Sequence, residues 1–120
     1  MLSSIVVCLA LAIHQEARGE PESGRIAVGI VLLNRAEQRG ITPCEELERN
    51  AKEWTWDKNY KRIQSHKEYP RAVEDAKNAI LLHSIDNLDG VTHFHNLKVR
   101  PNWKKLKYSF TIGNHKFYRK

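Results

Sequence analysis

The chain has few of the residues that mark metal-binding, disulfide-rich or membrane proteins. Its 120 residues include two cysteines, Cys8 and Cys44, whose spacing matches neither a metal site nor a redox motif. The apolar run near the N-terminus is too short to cross a bilayer, and His14 and Glu16 interrupt it. No repeat or low-complexity linker divides the chain. We therefore expect one domain over residues 1–120 with two buried thiols, although a bridge between the cysteines stays open.

Acidic residues are absent from the last 31 residues of the chain. No Asp or Glu follows Asp89, although the whole chain carries 14 acidic residues against 20 basic ones, a net charge of +6. The charged residues after Asp89 are all basic: Lys98, Arg100, Lys104, Lys105, Lys107, Lys116, Arg119 and Lys120. This one-sided charge favours adhesion to a polyanion. The alternative is a solvated basic face that keeps the protein soluble.

Three helices are predicted in the first two thirds of the chain. The apolar run Ile5 to Ile13 predicts a helix capped by Ser3 or Ser4, which must end near Gly19 and Pro21. The second helix begins at Glu20 to Ser23, has apolar residues around most of its circumference and ends at Gly40. A third opens at Tyr69-Pro70 and ends between Asp86 and Gly90. Gly29, inside the second helix, predicts close approach of another backbone, which we expect to be that of the first helix.

The remaining segments predict a connection and a small sheet. Residues 41–68 show little periodicity, apart from a short helix near residues 45–51. Residues 91–95 alternate as a strand, and residues 109–118 form a hairpin around Gly113-Asn114. The fold class is therefore α+β, with a mainly helical lobe and a small antiparallel sheet in the C-terminal third.

Glu16 falls in the last turn of the first predicted helix, where a carboxylate is unfavourable. The exposed carbonyl groups and the helix dipole disfavour a negative charge there, typically by ~0.3 to 1 kcal/mol. Such a position raises the pKa of a carboxyl group, and a protonated Glu near neutral pH suits general acid catalysis at a glycosidic oxygen. The alternative is a solvated helix-end Glu paired with Arg18.

Several motifs recur in the order found in one family. They are Glu16-Ala17-Arg18-Gly19-Glu20-Pro21, Gly24-Arg25-Ile26-Ala27-Val28, Val31-Leu32-Leu33-Asn34-Arg35, Thr92-His93-Phe94-His95-Asn96, Pro101-Asn102-Trp103 and Ile112-Gly113-Asn114-His115-Lys116-Phe117-Tyr118-Arg119. The chain resembles the catalytic domain of the SleB/CwlJ cell-wall hydrolases, known from spore-cortex lysis and phage endolysins. The resemblance implies a fold similar to lysozyme-like lytic transglycosylases, with Glu16 as the catalytic acid.

The sequence offers no compelling second carboxylate for glycoside hydrolysis. The available ones are Glu20, Glu22 and Asp57. A lytic transglycosylase needs one acid only, because the muramic 6-hydroxyl of the substrate is the nucleophile. We therefore expect a lytic transglycosylase that cleaves the bond between N-acetylmuramic acid and N-acetylglucosamine. The first alternative is a hydrolytic muramidase, which cuts the same bond with water.

Three histidines support a different alternative. His93 and His95 point to one face of a predicted strand, and His115 could lie on a neighbouring strand, as in a zinc site. They would then belong to an N-acetylmuramoyl-L-alanine amidase. No HExxH motif or cysteine pair supports a metal. We expect polar residues lining a cleft, with no metal and no cofactor.

Six aromatic residues offer flat faces for sugar rings: Trp54, Trp56, Tyr60, Trp103, Tyr108 and Tyr118. The same rings near basic residues could stack nucleic-acid bases, so a basic nucleic-acid-binding module without catalysis is a third alternative. Because Trp54 and Trp56 cannot share a helix face, at least one should lie in the core. We assign substrate binding to Trp56, Trp103 and Tyr118. From the late motifs of the family we add Thr92, His93, His95 and Asn114.

The N-terminal segment lacks the positive charge that opens a secretion signal. Cleavage near Ala10 or Ala12 would also remove the helix that presents Glu16, so we expect the segment to be structural. The protein would then be made in the cytoplasm and act at the cell wall or periplasm, released by a holin if phage-encoded. We expect a monomer that binds peptidoglycan glycan strands and no nucleic acid, with the basic C-terminal third contacting the anionic envelope.

Overall fold

The computed structural model describes residues 3–53 and 56–120. Trp54, one of the predicted aromatic residues, lies outside this range, as do Met1, Leu2 and Thr55. The helices are α1 (Ser4–Ala17), α2 (Glu22–Arg39), α3 (Pro43–Glu53), α4 (Tyr60–Gln64) and α5 (Tyr69–His83), followed by a 3-10 turn (Leu88–Gly90). The strands are β1 (His93–Asn96), β2 (Lys107–Ile112) and β3 (His115–Arg119). The predicted α+β class is confirmed.

Helix α1 forms the centre of the helical lobe. The Ser3 hydroxyl caps it by accepting a hydrogen bond from the Val6 N–H, as the sequence predicted. Leu9 and Ile13 are fully buried, and α1 packs against α2, α3, α4 and α5. This burial supports the prediction that the N-terminal segment is part of the folded domain. No helix in the described ranges is long and apolar enough to cross a membrane.

The close approach predicted at Gly29 of α2 is confirmed, but the nearest neighbours are side chains. A Cβ at this position would lie 2.9 Å from the Ala79 Cβ in α5 and 3.1 Å from the Ile13 Cδ1 in α1. The close approach therefore comes from both flanking helices, and α5 is the nearer. Gly40 ends α2 in the left-handed conformation with a φ of 67°, as predicted.

A disulfide joins Cys8 in α1 to Cys44 at the start of α3. The prediction of two buried thiols was therefore wrong. The residues are 36 positions apart, and their Cα atoms lie 5.3 Å apart because α3 folds back onto the first half of α1. Sequence spacing does not show this return of the chain.

The connection between α2 and α5 contains two helices. The short helix predicted near residues 45–51 is α3, and α4 was not predicted. The Asn59 side chain caps α4 by accepting from the Arg62 N–H. Residues 56–59, which precede α4, form a loop that passes the C-terminal end of α1, because the Gln15 side-chain amide donates to the Asp57 carbonyl oxygen at 2.7 Å.

The sheet is antiparallel with the strand order β1-β3-β2. Phe117 is fully buried at the centre of its inner face, where it contacts Phe94 and Phe110. A bulge between Tyr108 and Phe110 lets these two side chains of β2 point to opposite faces of the sheet. The predicted hairpin is confirmed, and Gly113 in its turn has a φ of +57°.

Candidate active site

Glu16 lines a small pocket between the helical lobe and the inner face of the sheet. The other lining residues are Ala12, Val28, Val31, Leu32, Arg35, Asn50, Trp56 and Phe94. The space inside is about 20 Å³, which holds roughly one water molecule. The pocket is therefore large enough for a water or a sugar hydroxyl, and a whole sugar ring must lie outside it.

Trp56 fixes the Glu16 carboxylate in this pocket. Its indole Nε1–H donates to the Glu16 Oε1 at 2.5 Å. The loop that carries Trp56 is itself held in place, since Gln15 donates to the Asp57 carbonyl oxygen and Arg62 pairs with the Asp57 carboxylate. The sequence nominated Trp56 as a substrate-binding residue, and the structure makes it the direct partner of Glu16.

Burial raises the pKa of the Glu16 carboxyl group, while the hydrogen bond from Trp56 opposes the rise. The sequence predicted the direction from the helix end, but the larger cause is loss of solvent. Arg18, the alternative partner of Glu16, lies instead with its Nη1 3.4 Å from the Nε2 atoms of both His14 and His66. Glu16 therefore accepts a hydrogen bond from Trp56, and Arg18 is not its partner.

The other candidate carboxylates have structural partners. Glu20 accepts from the Asn114 backbone N–H at 2.7 Å and from its side-chain amide at 3.2 Å. Asp57 accepts from the Asn59 N–H and from Arg62, and these bonds lower its pKa, the Asn59 bond most. Glu22 is exposed at the start of α2. Within residues 3–53 and 56–120, Glu16 is the carboxylate that lines the pocket.

Four of the predicted binding residues form a cluster on the outer face of the sheet. The Trp103 ring lies 5.3 Å from His93, 5.4 Å from His95 and 5.3 Å from Tyr118, and the His95 Nε2 lies 2.9 Å from the Tyr118 hydroxyl. Phe94, between the two histidines, points to the inner face and lines the Glu16 pocket. The structure thus brings these four residues together on the face opposite to Glu16.

Thr92 and Asn114, the two remaining predicted residues, lie at the borders of the sheet. Thr92 is 1% exposed, and its hydroxyl lies 2.9 Å from the His93 Nδ1. Asn114 is exposed in the β2–β3 turn, where both of its bonds are to Glu20. Of the seven substrate-binding residues nominated from the sequence, only Trp56 lines the same pocket as Glu16.

The three histidines of the metal alternative do not converge on one point. His115 is 5% exposed on the inner face, with its ring 5.0 Å from Phe94, whereas His93 and His95 contact Trp103 on the outer face. No group of three or more potential ligands is close enough to hold a metal in the part of the chain that the structure describes. The donor set therefore does not fit the zinc site of the amidase alternative.

Sequence reasoning missed two polar residues beside Glu16. Arg35 comes from α2, and Asn50 from α3. Asn50 is 8% exposed, and its Oδ1 has no hydrogen-bond partner among the described residues. Arg35 belongs to a motif that supported the family resemblance, so it was available as a candidate. Asn50 lies in the weakly patterned middle segment, where no signal marked it.

Comparison with known proteins supports the family resemblance. The model of the cell wall hydrolase family matches residues 19–118, from the turn before α2 to β3. The match begins three residues after Glu16, so it does not test the role of that residue. Searches of curated proteins and of solved structures found no match. Because the family model spans most of its length, the chain belongs to the cell wall hydrolase family.

Proposed function

We propose that the protein cleaves the β-1,4 bond between N-acetylmuramic acid and N-acetylglucosamine in peptidoglycan, with Glu16 as the general acid. Membership in the cell wall hydrolase family supports peptidoglycan as the substrate. One observation carries the choice of bond and residue: a half-buried carboxyl with a raised pKa is held by Trp56 in a pocket that opens beside the sheet. A carboxyl in this state can protonate a leaving glycosidic oxygen near neutral pH.

The proposed mechanism uses Glu16 twice. Its proton passes to the glycosidic oxygen as the bond to the muramic C1 breaks, and the resulting carboxylate is stabilised by the Trp56 N–H. The carboxylate then takes the proton of the muramic 6-hydroxyl, whose oxygen bonds to C1. The products are a free N-acetylglucosamine 4-hydroxyl and a 1,6-anhydro ring. The lining of the pocket supports this lytic transglycosylase mechanism, because the described residues supply one acid there and no second carboxylate.

A hydrolytic muramidase is the second candidate. The pocket has room for about one water next to Glu16. Hydrolysis would leave a reducing muramic end instead of the anhydro ring.

We further propose a lysozyme-like arrangement, supported by an acid at the end of a buried helix that faces a small antiparallel sheet. The protein would act at the cell wall or periplasm as a monomeric bacterial hydrolase or a phage endolysin, the latter released by a holin. The basic residues of the C-terminal third would hold it on the anionic envelope.

Substitution of Glu16 tests this proposal. Glu16→Gln keeps the size of the side chain but removes the acidic proton, so we expect lysis of purified peptidoglycan to fall at least about 100-fold. Glu74→Gln is the matched control, because Glu74 is exposed on α5 and contacts Lys77 only. Retained activity in Glu16→Gln would contradict the proposal.

The mass of the products identifies the nucleophile. Purified sacculi are digested, and the muropeptides are weighed without borohydride reduction. We expect 1,6-anhydro muramic ends, because the tethered 6-hydroxyl has a high effective concentration at C1. Ends heavier by one water would instead show a muramidase. Intact glycan with freed stem peptides would show an amidase and contradict the role of Glu16.

A further inference from the structure

A second pocket lies beside the Glu16 pocket, on the other side of Arg35. We call it the cationic pocket, and it is lined by Arg35, Gln38, Arg39, Thr92, His93 and Lys120. Its volume is about 100 Å³, enough for a small oxyanion together with a few atoms of the group that carries it. The lining residues come from α2, from β1 and the residue before it, and from the end of the chain.

The two arginines of the cationic pocket are held by a buried carboxylate. Glu46 is fully buried, and its Oε1 accepts from the Arg35 Nε at 3.3 Å and from the Arg39 Nε at 2.9 Å. Arg49 lies 3.5 Å from the other oxygen of Glu46. One negative charge therefore faces three guanidinium groups. The terminal nitrogens of Arg35 and Arg39 have no hydrogen-bond partner among the described residues, which leaves their forked donors free for a ligand.

The cations of the cationic pocket affect the pKa of the His93 imidazole. Burial lowers the pKa of its imidazole most, and Arg35, Lys120 and Arg39 lower it further. Among the described residues, no carboxylate opposes this lowering of the His93 pKa. The Thr92 hydroxyl contacts the Nδ1 of this ring, and Trp103 packs against its edge. The ring is thus held next to a group of cations whose total charge exceeds that of Glu46.

The cationic pocket and the Glu16 pocket are adjacent. Arg35 lines both of them, and the consecutive residues His93 and Phe94 line one each. A sugar bound next to Glu16 can therefore extend a substituent past Arg35 into the cationic pocket. In peptidoglycan, the sugar at the proposed cleavage site is muramic acid, which carries a peptide with free carboxylates.

We propose that the cationic pocket binds a carboxylate of the stem peptide on the muramic residue, so that the enzyme recognises peptide-bearing glycan. The proposal rests on the proposed function for the identity of the substrate. Paired guanidinium forks match the geometry of a carboxylate, and Lys120 adds a third charge. A phosphate group on the glycan has similar chemistry, and the test separates the two sources.

Binding is measured on the Glu16→Gln variant, so that the result does not depend on cleavage. The probe is muramyl dipeptide with a free terminal carboxylate, and the matched probe is the same molecule with that carboxylate amidated. The His93 imidazole is observed by nuclear magnetic resonance in histidine-labelled protein. We expect the carboxylate form to bind at least about tenfold more tightly and to raise the pKa of His93, because an anion offsets the nearby cations.

Two variants locate the ligand. Lys120→Gln removes a cation whose side-chain ammonium pairs with no described residue, and Arg39→Lys keeps the charge at position 39 while removing the fork. Both should weaken binding of the carboxylate probe and leave binding of the amide unchanged. Lys77→Gln is the matched control, because Lys77 is an exposed residue on α5 paired with Glu74.

Activity measurements add a second readout. Lys120→Gln in the otherwise wild-type enzyme should raise KM for peptide-bearing glycan and leave kcat unchanged, with no effect on glycan from which an amidase has removed the peptides. Equal binding of the two probes, or a His93 signal that does not respond, would overturn the proposal. A response to inorganic phosphate but not to muramyl dipeptide would assign the pocket to a phosphate and overturn the stem-peptide assignment. Failure of the proposed function appears separately, as lytic activity in Glu16→Gln.

Discussion

Replacing Trp56 by Phe tests how the site sets the protonation of Glu16. The substitution keeps an aromatic ring but removes the indole N–H that donates to the Glu16 Oε1 at 2.5 Å. That hydrogen bond favours the ionised carboxylate and opposes the effect of burial. Without it, Glu16 should keep its proton to a higher pH. A general acid is active while protonated, so the alkaline limb of the pH profile should move upward in the variant.

The size of this shift follows from the strength of the lost bond. A hydrogen bond to a charged group contributes about 1.5 to 3 kcal/mol, and one pH unit corresponds to about 1.4 kcal/mol. Because Glu16 is only half-buried, solvent replaces part of the lost interaction. We therefore expect the alkaline limb of kcat/KM to move upward by about one pH unit.

The assay is the pH dependence of kcat/KM on soluble glycan fragments, normalised to the maximum of each variant. Normalisation is needed because Trp56 also borders the substrate and its loss will lower the rate. Trp103→Phe is the matched control: it removes an indole on the outer face of the sheet, away from Glu16, and should leave the limb in place. An unchanged limb in Trp56→Phe, or one that moves to lower pH, would refute the assignment of Glu16 as the acid that Trp56 tunes.

Two further predictions concern stability. Glu16→Gln should melt at the same temperature as the wild type below about pH 4.5 and at a higher temperature above it. The reason is that a carboxyl group with a raised pKa in the folded state makes the wild-type protein less stable as the pH rises through this range. The measurement is a calorimetric pH series, and a variant that melts lower than the wild type at neutral pH would contradict the prediction. The double variant Cys8→Ala/Cys44→Ala frees a loop of 36 residues. Its unfolding free energy should fall by roughly 4 kcal/mol, measured in denaturant against wild type with and without reductant, and equal stability would show that the bond contributes nothing.

Local features of this fold could be predicted from the sequence because they depend on neighbouring residues. The Ser3 cap, the Gly40 end of α2 and the Gly113-Asn114 turn are each determined by one or two residues in a fixed pattern. The helix-end position of Glu16 was found in the same way, and its raised pKa followed in direction.

The composition of the site could not be predicted, because its members are far apart in the chain. Trp56 reaches Glu16 across 40 positions, through a loop whose course depends on α4 and on the Gln15 contact. Strand alternation correctly placed His93 and His95 on one face, but it could not show that this face lies opposite to the Glu16 pocket. Tertiary packing determines both the contact of Trp56 with Glu16 and the face on which the histidines lie relative to the pocket. Local sequence patterns do not predict this packing.

The position of Glu20 supports the proposed mechanism, in which Glu16 is the one acid. Its carboxylate accepts two hydrogen bonds from Asn114, and a Cβ at Gly113 would lie 2.5 Å from its Oε1. Glu20 thus clamps the hairpin turn onto the junction between α1 and α2, and position 113 has to be glycine for the clamp to close. The same carboxylate lies 4.0 Å from the buried His115 Nδ1. A residue bound on these sides cannot accept a proton from an attacking water at the Glu16 pocket without releasing the hairpin. In the proposed mechanism the nucleophile would therefore give its proton to Glu16, after Glu16 has protonated the leaving oxygen. The product masses decide whether that nucleophile is the tethered muramic 6-hydroxyl or water.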